Sequence, residues 1–558
     1  MTEFLKFKKS NCKNCYKCIR NCPVKSIHFS DNQANIIHEE CILCGHCVLG
    51  CPQNAKEIRN DLDSAKKLLN SGKPVYASIA PSFIANYDNI TIKSVEEALI
   101  KLGFAGVEET AVGATIVKNQ YENMIARKTQ DVIISSCCPS INMLIQKHYP
   151  EALPYLAPVM TPMHVHCKDL KRRYPDSKTI FIGPCIAKKA EAESLPNDVD
   201  CALTFEELSE WLNSERINLN YVAEDNDNTR ARLFPTTGGV LRTMPDRDPS
   251  YAYIAVDGIE NCIAVIEDII KGNISKCFIE MSSCTGSCIG GPAMDKDHRA
   301  PVRDYVAVNS YAGNGDYPVF DYKPTQVSRQ YPSMAGLKVN ISESAITDVL
   351  RQMGKTKPEH ELNCGSCGYH TCREKALAVI HGKATITMCL PYLKDKAESF
   401  SDTIIKNTPN AVIVLNETFE VQQINVSACN LINIRNAQNV IGEQVVRILD
   451  PKPFIDAYQS KRNIYNNYVY LPEYRKYVDQ SILYDSDYHI IICVMRDVTD
   501  EVKEREKKEQ ISRNTIETTD RVIEKQMRTI QEIASLLGET TAETKVALTK
   551  LKESLKNE

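Results

Sequence analysis

The sequence predicts a multidomain chain of mixed α/β and α+β class, on three observations. Two near-identical cysteine runs occupy residues 12–22 and 41–51. From Pro74, short apolar runs of buried-strand type alternate with helical stretches. After about residue 400 the cysteines thin out, and strand-like runs lead into a long charged segment. At 558 residues the chain is too long for one ordinary core, so three to five domains are expected. A hydrophobic content of 43% with 25% charged residues marks a folded chain. A net charge of −4 gives no reason to expect nucleic acid as a partner. No apolar run approaches a membrane span, and Met1-Thr2-Glu3-Phe4 opens no secretory signal, so a cytoplasmic location is expected. Of 23 cysteines, many stand in Cys-x-x-Cys-type runs, where pairing neighbours would strain a disulfide. Metal ligation in a reducing compartment follows.

The first run reads Cys12-x2-Cys15-x2-Cys18-x3-Cys22-Pro23, and the second repeats it as Cys41, Cys44, Cys47, Cys51 and Pro52. This is the bacterial ferredoxin run, duplicated, and residues 1–59 are expected to form a ferredoxin-like 2[4Fe-4S] domain. In such folds the fourth cysteine of each run ligates the other cluster. Cys12, Cys15, Cys18 and Cys51 should therefore hold one [4Fe-4S] centre, and Cys22, Cys41, Cys44 and Cys47 the other. A zinc module is the alternative, and the prolines and the duplication speak against it. Leu62, Ala65, Leu68 and Leu69 then mark a short helical connector.

Residues 74–330 read as α/β. Val75-Tyr76-Ala77-Ser78-Ile79, Val132-Ile133-Ile134-Ser135, Thr179-Ile180-Phe181-Ile182 and Lys276-Cys277-Phe278-Ile279-Glu280 are strand-like, and Ser94 to Leu102 is helical. At the ends of these strands stand Ser136-Cys137-Cys138-Pro139, Gly183-Pro184-Cys185-Ile186-Ala187-Lys188 and Cys284-Thr285-Gly286-Ser287-Cys288. None offers four ligands alone, but together they supply thiolates from three distant segments. Their order and wording resemble the H-cluster domain of [FeFe]-hydrogenases. The resemblance implies that Cys138, Cys185, Cys284 and Cys288 hold a [4Fe-4S] cube, with Cys288 bridging to a two-iron subsite bearing CO and cyanide. It also implies that Lys188 donates to a cyanide and that Cys137 relays protons. A packing role is the bland alternative for Cys137.

The chain departs from that family at several positions. Gly183 and Ser282 stand where fast enzymes usually carry Met, and the loop after the third motif shortens to Ile289-Gly290-Gly291-Pro292. A more open or more polar site is expected. The family's proton path runs through Glu, Ser and Glu; here Ala157 replaces the serine and Tyr121 the nearer glutamate. Alanine cannot carry a proton and tyrosine does so poorly at neutral pH. Glu122 and Glu191 are candidate substitutes, and slow proton delivery is the other outcome.

Residues 340–397 carry Cys364-x2-Cys367-x4-Cys372 and then Cys389, which resembles a small single-cluster [4Fe-4S] domain; a zinc knuckle competes. Residues 400–499, closing on Arg496-Asp497-Val498-Thr499-Asp500, resemble a PAS domain, with Cys429 and Cys493 as packed core thiols. In residues 500–558, Ile516, Ile523, Ile530 and Leu537 recur every seven residues with Ile533 on the same seam. That predicts a C-terminal coiled-coil helix and a homodimer, weakened by Thr519 and Gln526. A helix docking on its own chain is the alternative.

The whole pattern resembles the sensory branch of [FeFe]-hydrogenases. It implies a low-turnover H2 sensor with four [4Fe-4S] clusters, one of them within the H-cluster, beside the two-iron subsite. H2 and protons, a ferredoxin-type redox partner, maturation enzymes and a separate kinase or phosphatase are the expected partners. A metabolic ferredoxin-linked hydrogenase and an iron–sulfur scaffold without the two-iron unit are the rivals.

Overall fold

The computed structural model describes residues 3–8, 11–30, 33–224, 229–294, 301–336 and 341–554. They divide into two units, Met1–Leu393 and Lys394–Glu558. No helix among the described residues is long and apolar enough to cross a membrane.

In the first unit, β1 (Leu5–Phe7), β2 (Ile27–Ser30), β3 (Gln33–Ile36) and β4 (Lys56–Ile58) form two antiparallel pairs, β1 with β4 and β2 with β3. The cysteine runs lie between these strands. Then come β5 (Val75–Ile79), β6 (Gly106–Glu109), β7 (Val132–Ile134), β8 (Lys178–Gly183), β9 (Cys201–Thr204), β10 (Ala252–Asp257) and β11 (Cys277–Ser282). They build two sheets, in order β6-β5-β8-β9 and β10-β11-β7, with every pairing parallel. Parallel sheets need both faces covered, which is why β5, β7 and β8 read as apolar runs rather than alternating ones. The strand-like runs of the sequence fall on β5, β7, β8 and β11. The strands β6, β9 and β10 went unmarked: β6 is only Gly106-Val107-Glu108-Glu109, and β10 is half-exposed along most of its length.

Four helices place the site. Helix α1 (Ala111–Ala126) leaves β6 almost at once. Helix α2 (Pro139–His148) begins with Pro139 at its first turn, where a missing N–H costs nothing, and takes Cys138 as its N-cap residue. Helix α3 (Pro162–Arg173) is capped by Thr161, whose hydroxyl accepts from the His164 N–H at 3.3 Å. Helix α4 (Ala187–Glu193) follows Cys185 directly.

Residues 341–393 do not stand apart from the ferredoxin-like module. Ile19, Ile27 and Ala34 share one core with Tyr369, Ala378, Ala384 and Met388. Lys25 Nζ donates to the Gly368 carbonyl at 3.0 Å, and the Phe29 N–H to the Lys383 carbonyl at 3.1 Å. Lys383 pairs with Glu40 at 2.6 Å.

The second unit has one five-stranded antiparallel sheet. Its strands are β12 (Ala411–Asn416), β13 (Val421–Ile424), β14 (Ile464–Leu471), β15 (Lys476–Asp485) and β16 (Ile490–Asp497), in order β13-β12-β16-β15-β14. Asn425 closes the turn after β13: its Oδ1 accepts from the Ala428 N–H at 2.8 Å and the Val412 N–H at 2.9 Å. Cys429 and Cys493 are buried in the core of this unit. A single helix then runs over Thr499–Ser554.

Candidate metal centre

The four cysteine sets line four separate hollows. Cys12, Cys15, Cys18 and Cys51 line one. Cys22, Cys41, Cys44 and Cys47 line the second, so the two N-terminal runs exchange their fourth cysteines. Cys364, Cys367, Cys372 and Cys389 line the third. Cys138, Cys185, Cys284 and Cys288 line the fourth, together with Cys137 and Lys188. Among the described residues, no three His, Cys, Asp or Glu side chains converge as a single-ion site requires. A zinc ion draws its thiolates onto one centre about 2.3 Å away, whereas a cluster gives each thiolate its own iron. Lys375 lies in the Cys364 hollow, almost fully buried, and burial pushes its ammonium down to about 8 against the pull of Cys367 and Cys389.

The fourth hollow sits beyond the carboxyl ends of β5, β7, β8 and β11, where open parallel sheets gather ligand-binding loops. It measures about 120 Å³, against about 20 Å³ in each of the other three. It has room for more than the group that fits the others. Burial pushes the Cys185 thiol up to about 11 and Cys288 well above the usual thiol range. Thiolates form in such surroundings only against a cation, which a metal group supplies. Ser82, fully buried in the same wall, has a hydroxyl with no partner among the described residues. An orphaned buried hydroxyl is costly unless something in the hollow receives it. The residues present thus fit a cubane with an additional polar unit.

Lys188 finds its anionic partner within the chain. Its Nζ donates to Glu191 Oε2 at 2.7 Å, while Glu191 Oε1 accepts from Thr161 Oγ1 at 2.9 Å and Arg329 Nη1 at 2.8 Å. Burial would raise Glu191, but Lys188 and then Arg329 outweigh it and hold the carboxyl below its ordinary range. Glu191 is thereby engaged as the counter-ion of Lys188 and Arg329. Glu122 does not reach the hollow and pairs with Lys118 at 3.3 Å.

Cys137 is bonded to the residue that replaces the family's glutamate. The Tyr121 hydroxyl lies 3.2 Å from Cys137 Sγ and accepts the Ser136 N–H at 2.9 Å. Ser136 Oγ gives its one proton to the Val159 carbonyl at 2.7 Å, and the Tyr331 hydroxyl donates to the same carbonyl at 2.8 Å. Tyr331 also bonds Ser136, so the line from Cys137 through Tyr121 and Ser136 reaches both the Val159 carbonyl and the Tyr331 hydroxyl, and burial pushes both tyrosines up, which makes them poor carriers. Ala157 lies fully buried nearby, its N–H on the Ile134 carbonyl. Burial, the leading effect, pushes the Cys137 thiol up to about 12.

The expectation of a more open site fails at Gly183. A Cβ there would come within 2.6 Å of the Phe181 ring, which lines the hollow itself, so an aromatic occupies the space. At Ser282 the site is indeed polar, with its Oγ 2.7 Å from Ser287 Oγ. Sequence reasoning missed Ser82, Thr110 and Glu280 in the wall. Burial raises Glu280 to about 7, and its Oε2 accepts the Leu241 N–H at 3.1 Å. A charged residue inside the apolar run of β11 was the available signal.

Comparison with known proteins agrees with this layout. The family described as iron only hydrogenase large subunit, C-terminal domain, matches residues 73–248 and 242–292. A 4Fe-4S dicluster domain matches residues 4–52, and a putative Fe-S cluster family matches residues 361–391. The chain is 25% identical over 359 residues to the periplasmic [Fe] hydrogenase large subunit of Nitratidesulfovibrio vulgaris, covering 52% of this chain and 85% of that protein. It is 28% identical over 208 residues to the cytosolic Fe-S cluster assembly factor NAR1 of Debaryomyces hansenii, covering 31% of this chain and only 38% of that protein. A solved structure of [FeFe]-hydrogenase HydA1 from Chlamydomonas reinhardtii aligns at TM-score 0.41 and 18% identity, over 50% of this chain and all of that one. The chain is a multidomain iron–sulfur protein that joins a ferredoxin-like 4Fe-4S domain to a hydrogenase-like domain.

Proposed function

We propose that the chain reversibly interconverts H2 with protons and electrons at low rate in the fourth hollow, and that it works as an H2 sensor. One observation carries the reading: the hollow joins four thiols to Cys137, Lys188 and the unpartnered Ser82 hydroxyl, in a space larger than a cubane's. Cys138, Cys185, Cys284 and Cys288 would hold the cube and its two-iron subsite, and that group would supply the H2-splitting chemistry. Lys188, already fixed by Glu191, presents an ammonium to an anionic ligand of the group. Cys137 gives and takes the proton at its Sγ, shielded from bulk water by Phe181, Met163 and Pro162. Three [4Fe-4S] clusters in the other hollows would conduct the electrons.

The sheet of the second unit is read as PAS-like and its terminal helix as a dimerising output element, addressed to a separate signalling protein. Two features support a sensory over a metabolic role: the proton line from Cys137 that runs through the buried Tyr121 and Tyr331, and the exposed apolar seam of the last helix. The similarity to an assembly factor favours one rival, a scaffold that holds clusters without the two-iron unit. Infrared spectroscopy after maturation separates them. CO and cyanide bands with slow H2 turnover are expected; a protein rich in iron that never shows those bands is the scaffold.

A further inference from the structure

The line from Cys137 rests on two buried tyrosines, and a different set of groups connects the hollow to the surface. Thr110, in the wall of the hollow, has its Oγ1 2.8 Å from Ser78 Oγ. Ser78 Oγ is 2.8 Å from Nδ1 of His166, and Nε2 of the same ring is 3.2 Å from Glu108 Oε2. Ser78 and His166 are fully buried, while the Glu108 side chain is 27% exposed. Every link can both donate and accept, apart from the terminal carboxylate, which needs only to accept and release. We propose that Thr110, Ser78, His166 and Glu108 form the proton route between the hollow and solvent. The inference rests on the hydrogen turnover proposed above.

Outward passage balances as a relay. Thr110 receives a proton from the hollow as its own hydroxyl proton moves to Ser78. Ser78 passes one to Nδ1 of His166, and the proton on Nε2 moves to Glu108, which releases it to water. No other bond is made or broken, and each passage leaves the ring in its other tautomer. The ring must start neutral, with its proton on Nε2. Arg173 permits this: its Nη1 and Nη2 donate to Glu108 at 2.7 and 2.6 Å, so the carboxylate is neutralised without a charged imidazole. Although burial would raise Glu108, its hydrogen bonds from His166 and Arg173 and the Arg173 charge hold it below its ordinary range. A carboxylate held that low keeps a proton only briefly, and a packed ring resets slowly. Both make the route slow, in keeping with low turnover.

Thr110 gives the cleanest test, because Thr110→Val removes the hydroxyl at constant shape while Thr110→Ser keeps it. In the matured full chain, Thr110→Val and Ser78→Ala should cut H2 production at least about tenfold with CO and cyanide bands unchanged. Thr110→Ser should stay near the unsubstituted rate. Turnover in Thr110→Val equal to that of the unsubstituted protein, with intact bands, overturns the route. An unsubstituted protein with neither bands nor turnover overturns the functional reading instead. The route is then judged by histidine-selective nitrogen-15 NMR, with His166→Gln assigning the signal. An unprotonated Nδ1 at neutral pH supports it, and a fixed imidazolium overturns it.

Discussion

Cys137 can serve as a proton carrier only while its thiol is free, and among the described residues Tyr121 is the side chain that hydrogen-bonds it. Cys137→Ala should therefore lower H2 production by about a hundredfold or more, with iron content and infrared bands unchanged. Indifference to the substitution would remove proton transfer at this thiol from the scheme. Lys375 poses a separate residue-scale question. Its ammonium is buried beside four cysteines, with Met388 Sδ at 3.2 Å and the Tyr369 ring at 5.4 Å. A unit charge some 6–8 Å from a cluster, at an effective dielectric near 20, is worth about 2–3 kcal/mol. Lys375→Met should then lower the midpoint potential of the Cys364 cluster by about 100 mV in a redox titration. An unshifted potential would mean that the lysine balances no cluster charge. The ferredoxin-like runs were legible as candidate ligand sets from spacing, because they are local and repeated, whereas Cys138, Cys185, Cys284 and Cys288 come from distant segments and were named only through a resemblance. Ser82, Thr110 and His166 were not legible, since a serine or histidine acquires meaning only from what the fold brings beside it.

At the scale of elements, the sequence marked β5, β7 and β8, which bury nearly every side chain, and passed over the short β6 and β9, although β9 is buried throughout. β5 and β8 announced themselves as apolar runs, whereas β6 ends in Glu108-Glu109 and β15 alternates Lys476-Tyr477-Val478-Asp479. Nothing local reveals how one module meets another, and here two glycines decide it. Gly45, at φ +78°, lies so close to Pro292 that a Cβ would come within 2.4 Å of it, which brings the Cys44 loop against the wall of the fourth hollow. Gly368, at φ +93°, approaches Ile19 in the same manner, with a Cβ at 2.9 Å. Each contact places one four-cysteine set beside another, an arrangement suited to electron conduction. Gly368→Val combines a left-handed backbone with overpacking, about 1–3 kcal/mol of strain concentrated on this docking face. Magnetic coupling between the reduced Cys364 cluster and its ferredoxin-like neighbours, read by electron paramagnetic resonance, should weaken or vanish. Coupling of unchanged strength would mean that the two modules do not depend on this face.

For the whole molecule, four sets of four cysteines imply about sixteen irons before any two-iron unit is added. A count near twelve, or stoichiometric zinc, would show the Cys364 set to be misread. The terminal helix raises the larger matter. Ile516, Ile523, Ile530, Ile533 and Leu537 are each more than half exposed along it, and at roughly 1.5–3 kcal/mol per large apolar side chain such a seam favours a covering partner. The heptad spacing suits a second copy of the same helix, and Thr519 and Gln526 keep that pairing weak enough to be shifted by a few kcal/mol. The hydrogenase-like domain has its own cores, and none of their residues comes from beyond residue 393. Removing residues 501–558 should therefore leave the infrared bands and H2 turnover intact while the dimer dissociates, as sedimentation would record. A truncated chain that dimerises with unchanged affinity would place the interface elsewhere. Loss of the bands would mean that the helix supports the metal centre rather than carrying its signal.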